Sequence, residues 1–235
     1  MARGTTLIKL LNDLRAEARL SLNAAHNAQQ RDVQLHMLQR KQEWFWEDFD
    51  WPHLRVERFL EVGAGQRLYD MPTDLDISRI QKIEIKADQV YQPLQWGIDA
   101  EHYAAFDSEI GERSWPPRRV RIYEDTQLEI WPISDSSYDP VTQEGRIKIT
   151  GIRKLDPLVE DSDRADIDDR LLVLHCAAEM LAATGAKDAQ IKIDQATALY
   201  AKLRGALMPR KVFKMFGAGQ PEHTVRVPLA VYRKV

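Results

Sequence analysis

"FDWPHLRVERFLEV", residues 49–62, changes its hydrophobic period part-way along. Pro52 disfavours the α region at Trp51, so a helix arriving from the N-terminal side must stop there. From Leu54 onward the period is two: Leu54, Val56, Arg58, Leu60 and Val62 alternate with Arg55, Glu57, Phe59 and Glu61, as in a half-buried strand. A chain that passes from helix to strand across one dipeptide is α+β.

Upstream of the switch, Leu35, Leu38, Phe45, Trp46 and Phe49 share one side of a helix expected to run to about Asp48. Leu7, Leu10, Leu11, Leu14, Ala18 and Leu22 predict an earlier helix, with Thr5 and Thr6 able to cap its first turn. Downstream, Gly63-Ala64-Gly65 supplies a turn. Short strands are then expected around Ile83 and Ile85, Val120 and Ile122, Leu128 and Ile130, and Ile147 and Ile149. Glu124-Asp125 is a turn between two of them, and Asp99 to Phe106 reads as a short helix. None of these strands is long enough to stand alone, so they imply a small antiparallel sheet or barrel.

After Pro157, "DIDDRLLVLHCAAEMLAATG" predicts a third long helix, with Asp166, Asp168 and Asp169 near its N-terminal dipole and Gly185 as its left-handed stop. A fourth begins near Asp188 with the stripe Ile193, Ala196, Leu199, Tyr200 and Leu203. The expected organisation is N-terminal helices over 1–52, a β insertion over 53–156, a helical pair over 157–204 that completes a bundle, and an extended arm over 205–235.

Charge divides along the same lines. The net charge of the whole chain is -3, yet the residues after Gly205 carry about +5, which leaves the body near -8. An acidic body does not collect phosphates, so DNA affinity is conceivable only for the arm. That arm mixes basic residues with Val, Phe and Tyr and has too little patterned apolar surface to fold alone, which points to docking on a partner. The single cysteine, Cys176, cannot form an internal disulfide, and no apolar run suits a membrane span, so a reducing setting without export is expected.

The motifs that invite chemistry are weak. "DSDRADIDD", residues 161–169, lacks the glycine and closing glutamate of an EF-hand loop, so helix capping and a solvated face are expected, not a metal site. The six histidines show no ligand spacing, and His175 with Cys176 are adjacent on a helix, which suits a buried structural thiol better than a nucleophile pair. "GAGQ" occurs at 63–66 and 217–220 without the continuation of a dinucleotide or phosphate loop. Three Trp-Pro pairs, at 51, 115 and 131, set large rings beside rigid turns; Trp51 is expected to pack the junction of helices and sheet, and Trp115 is open between packing and an interface.

In order along the chain, "FWEDFDWPHLR", "VGAGQRLYDMPTDL", "WPPRRVRIYEDTQLEIWPISD", "IRKLDPLVEDSD" and "ALYAKLRG" make the chain resemble the bacteriophage head-to-tail adaptor, or connector, proteins over roughly residues 5–205. One departure is the family's Pro-x-Pro after the hydrophobic strand, which is "WPISDSS" here and keeps only the first proline. The resemblance implies a virion protein made in the host cytoplasm, with no enzymatic activity and no cofactor. It implies a dodecameric ring beneath the portal protein that continues the DNA channel, lets genomic DNA pass without specific binding, and docks tail nozzle or tail-fibre proteins. The arm would lie along the portal, with Arg210, Lys211, Phe213, Phe216, Val227 and Tyr232 as docking residues and Trp115 as an interface residue. Two other readings differ in class. One is a nucleic-acid-binding phage accessory protein that uses the basic tail. The other is a hydrolase, for which Glu43, Glu47 and Asp48 offer no clear paired carboxylates in a cleft.

Overall fold

The computed structural model describes residues 3–23, 26, 29–106 and 111–207. Its long helices are α1 (Leu7–Glu17), α2 (Arg31–Asp48), α4 (Asp169–Ala183) and α5 (Ala189–Leu207), with a short α3 (Ala100–Ala105) inside the β region. The strands are β1 (Arg55–Glu61), β2 (Leu68–Asp70), β3 (Leu75–Ala87), β4 (Val90–Pro93), β5 (Gln95–Trp96), β6 (Arg119–Tyr123), β7 (Gln127–Trp131) and β8 (Arg146–Arg153). The α+β organisation expected from the sequence is present, with the β region inserted between the N-terminal and C-terminal helices.

The helix-to-strand switch is resolved in atomic terms. α2 ends at Asp48, Phe49 is already extended, and Pro52 opens a single 3-10 turn, Pro52–Leu54, that leads directly into β1. A helix that stops leaves its last carbonyls without intrahelical partners. Here side chains supply them: the buried Trp51 indole donates to the Phe45 carbonyl at 2.8 Å, and the Arg79 guanidinium donates to the Trp46 carbonyl.

The first helix is shorter than its apolar pattern suggested. α1 stops at Glu17, Arg19 takes a positive φ of 58°, and Leu22 lies outside the helix and exposed. Its N-terminal amides are met by backbone carbonyls, Leu7 N donating to Asp163 O and Ile8 N to Asp161 O, and not by a threonine hydroxyl. Thr5 instead bonds the Asp169 carboxylate through its amide at 3.2 Å and through its hydroxyl. At the other end of the chain, Asp168 caps α4 by accepting from Leu171 N at 3.1 Å, and Gly185 stops it with φ 69°. α5 buries Ala189, Ala196 and Leu203, seven residues apart, against α4, while Ile193 from the expected stripe is exposed.

The β region is two four-stranded sheets, ordered β1-β8-β3-β4 and β2-β7-β6-β5. All pairings are antiparallel except the two-residue β5, which runs parallel to β6. Two hairpins turn on adjacent residues with positive φ, Asp88-Gln89 between β3 and β4 and Glu124-Asp125 between β6 and β7. This is the turn geometry whose twist matches that of the flanking strands. Side chains of both sheets form one apolar cluster that includes Leu75, Ile83, Ile85, Val120, Leu128, Ile130, Ile147 and Ile149.

A second cluster fills the helical part, with Leu7, Leu10, Leu14, Leu38, Phe45, Trp51, Leu171, Leu172 and Cys176 among its members. β8 belongs to both. Ile147 and Ile149 enter the β cluster, whereas Ile152 enters the helical one, and Gly151 lies at the change of side. A Cβ at Gly151 would meet the Arg79 carbonyl oxygen at 3.3 Å and the Ile80 Cα at 3.4 Å, so β3 would have to give way slightly to admit one.

Candidate functional site

The six residues expected to dock on a partner, Arg210, Lys211, Phe213, Phe216, Val227 and Tyr232, lie outside the described residues, as does the second "GAGQ". α5 runs to Leu207, three residues past the boundary at 204 expected for the helical pair. Arg204 on the last turns of α5 bonds Asp48 at 3.0 Å and lies over the rings of Phe49 and Tyr200, each at 5.4 Å from the centroid. The Tyr200 hydroxyl also donates to Asp48. Burial, reinforced by the hydrogen bond to the Asp48 carboxylate, pushes the Tyr200 phenol up to about 12.

Tyr200 is flanked by Phe45 at 5.1 Å, Trp44 at 6.3 Å and Trp51 at 6.4 Å. The "FWEDFDW" stretch therefore has two tasks. It closes α2 and it forms the aromatic seat of the last turns of α5. The sequence signals each half separately, but the contact joins residues about 150 positions apart and has no local pattern.

Trp115 is half-buried and packs against the β cluster. Beside it, Pro93, Leu94, Phe106, Pro116, Pro117 and Trp131 line a cleft of about 630 Å³. Arg118, Arg119, Asp88 and His102 also line it. Trp96 is 49% exposed on β5.

One side of this cleft is held by a buried carboxylate that the sequence pattern did not disclose. Glu129 on β7 is inaccessible to solvent and accepts from Arg67 Nε at 2.7 Å, Arg121 Nε at 2.5 Å and the Tyr103 hydroxyl at 2.7 Å. Burial alone would raise its pKa, but the three hydrogen bonds and the two guanidinium charges outweigh burial and hold the carboxyl below the ordinary range. Tyr103 stacks edge-on against Trp131 at 4.8 Å, and the Trp131 indole donates to the His102 carbonyl at 2.7 Å. Together these contacts fasten α3 over the outer face of β7.

The residues whose types invite chemistry are occupied structurally. The carboxylates of "DSDRADIDD" are spent on the fold: Asp161 on Arg31, Asp163 on the amides of Val159 and Glu160, Asp166 on Arg153 and the Asp156 amide, Asp168 on its helix cap, and Asp169 on Thr5. Among the described residues no group of three His, Cys, Asp or Glu side chains could hold a metal ion. Burial pushes the Cys176 thiol up to about 12, and it lowers the neighbouring His175, whose ring lies edge-on to Phe45 at 4.9 Å. A protonated thiol in an apolar core is not a nucleophile. Glu43 and Glu47 are exposed on α2, and Asp48 is held by Tyr200 and Arg204. No described helix is long and apolar enough to cross a membrane.

A family model described as SU10 adaptor protein matches residues 5–224. The chain belongs to the SU10 adaptor protein family. This adaptor is thus a structural component of the phage head-to-tail junction, and not an enzyme. The family match extends past Gly205, the limit of the resemblance seen in the sequence, and takes in Arg210, Lys211, Phe213 and Phe216 while stopping short of Val227 and Tyr232. No curated protein matches the adaptor.

Proposed function

We propose that the chain assembles as a dodecameric ring directly below the portal protein, continues the DNA channel, and is anchored by its arm from about Gly205 to Val235. The observation that carries this reading is the family match over residues 5–224, which includes the first part of the arm. Arg210, Lys211, Phe213 and Phe216 form the first docking group and Val227 and Tyr232 the second, with the exposed part of Trp115 at a contact with a neighbouring subunit or a tail nozzle or fibre protein.

Charge supports the division of labour. DNA must slide through a channel without being gripped, and a body near -8 keeps phosphate contacts few, while an arm near +5 suits an acidic partner surface. Repetition around a ring lets a modest affinity per arm suffice, because simultaneous engagement raises the effective concentration.

The test is native mass spectrometry of the chain mixed with portal rings from the same source, beside a chain that lacks residues 205–235. Many copies loading on the portal only when the arm is present is the expected result. Loading that is unaffected by the deletion refutes the anchor. No loading of the intact chain on competent portal refutes the ring and favours the second reading, a nucleic-acid-binding accessory protein, for which the +5 arm is the motive. That reading requires DNA affinity that falls steeply as salt rises.

A further inference from the structure

The four sheet edges are not alike. β2, β4 and β5 are two to four residues long, and β4 ends in Pro93. β1 is a seven-residue edge with no strand on its outer side among the described residues. Short edges and prolines are common means of preventing strand addition, and β1 has neither; its protection against unspecific pairing is the charge of Arg55, Glu57, Arg58 and Glu61.

The backbone parity of this edge follows from the register. Val62 N donates to Gly145 O in continuation of the β1–β8 ladder, so even-numbered residues of β1 turn their amides and carbonyls toward β8. Arg55, Glu57, Phe59 and Glu61 therefore turn theirs to the open side. The same four side chains form the exposed row, with Phe59 48% exposed. On the other face, Val56 and Leu60 are only partly covered by the β cluster.

We propose that β1 is the docking edge for β1 of a second copy of this chain, paired antiparallel about a two-fold axis at Arg58. Only residues of the exposed row turn backbone groups to the open side, where the Arg55 amide already bonds the Pro52 carbonyl and the Glu57 carbonyl accepts from Arg58 at 2.9 Å, so only registers that oppose odd-numbered residues can form. Of these, the register centred on Arg58 sets Arg55 opposite Glu61 of the second copy and Glu57 opposite Phe59. A shift of two residues one way opposes Glu57 to Glu57, and the other way opposes Glu57 to Glu61, and like charges directly opposite are unfavourable. Among the registers that pair at least three of the four outward residues, the charges thus select one.

Arg55 and Glu61 are exposed and make no ion pair among the described residues, so both are free for this exchange. Three further charges face the seam. Glu57 has Lys148 at 4.0 Å, Arg146 lies over the Phe59 ring at 5.0 Å, and Arg58, which would face its own copy, is neutralised by Asp74 at 2.6 and 2.9 Å. On the inner face the register sets Val56 opposite Leu60, which covers both partly exposed side chains. The product is a continuous sheet of eight strands, two sets of β1-β8-β3-β4 joined back to back.

A two-fold pair closes on itself and does not propagate into a ring. It is a state of the free chain, which placement beneath a portal has to open.

Sedimentation velocity of the full chain across a concentration series, at low salt, tests the pairing, with circular dichroism as the check on folding. The wild type is expected to form a two-copy species. Arg55→Glu or Glu61→Arg alone turns two attractions into repulsions and weakens pairing by about tenfold or more, while the double exchange Arg55→Glu with Glu61→Arg restores it. One copy at every concentration overturns the proposal, as does a two-copy species that ignores both substitutions or is not rescued by the exchange. A ring insensitive to both substitutions also overturns it while leaving the ring reading intact.

Discussion

Replacing Trp51 tests whether the helix-to-strand joint holds the fold together. The indole is fully buried, packs edge-on against Phe49 at 5.2 Å, and donates to the Phe45 carbonyl at 2.8 Å. Trp51→Ala removes both the packing and the bond. Truncating a buried tryptophan costs about 3–5 kcal/mol, and the carbonyl left without its donor adds about 1 kcal/mol, so a loss of roughly 4–6 kcal/mol is expected. Trp51→Phe keeps most of the ring and loses the donor, and should cost about 1–2 kcal/mol. Urea unfolding followed by circular dichroism measures both. The slope with denaturant should be unchanged, which assigns the shift of midpoint to stability. Equal losses in the two variants would mean that the hydrogen bond and not the packed ring dominates. A loss below about 1 kcal/mol in Trp51→Ala would refute the joint as a stabilising element.

Acid should weaken the anchoring of α3. The folded Glu129 carboxyl lies below its ordinary range, so the stabilisation it gives is full above that range and is lost as pH falls through the folded value. Glu129→Gln, which leaves Arg67 and Arg121 without a carboxylate, is expected to cost about 2–3 kcal/mol at neutral pH and to flatten the acid limb of the stability profile. An unchanged acid limb would show that other carboxylates govern it. Cys176 should resist thiol-specific reagents in the native protein and react fully in denaturant, since burial holds the thiol protonated. Rapid labelling of the folded chain would contradict its place in the helical core.

The elements legible in the sequence are those whose burial follows a single period. β1 is exposed at every odd position and partly covered at every even one, as the alternation from Leu54 to Val62 implied. α4 and its glycine stop were legible because a cap, an apolar run and a left-handed terminator occur in order. Two-residue β5 and three-residue β2 were not, since neither is long enough to show a period. Leu22 misled because apolar spacing continues past the point where the backbone turns at Arg19. The inner face of α2 includes buried Gln34 and Gln42, which a hydrophobic stripe cannot reveal.

The site was less legible than the fold for the same reason. Glu129 lies on a strand buried on both faces, because α3 covers the side that alternation would assign to solvent. Asp48 and Arg204 meet although 156 positions separate them in sequence. The docking residues of the arm are evident only as composition, basic and aromatic together, and their positions lie outside the described residues.

β8 has a thermodynamic consequence that neither of the two cores has alone. Its first isoleucines are enclosed by the sheets and its last by the helices, with Gly151 between them. Opening the β region cannot proceed past Ile149 without drawing on Ile152, so each core's melting exposes part of the other. The two parts are therefore expected to lose structure in one transition, with the same midpoint by a helical signal and by tryptophan fluorescence. A body so coupled has no soft hinge between helices and sheets, and a displacement imposed at one end reaches the other along a single hydrogen-bonded strand.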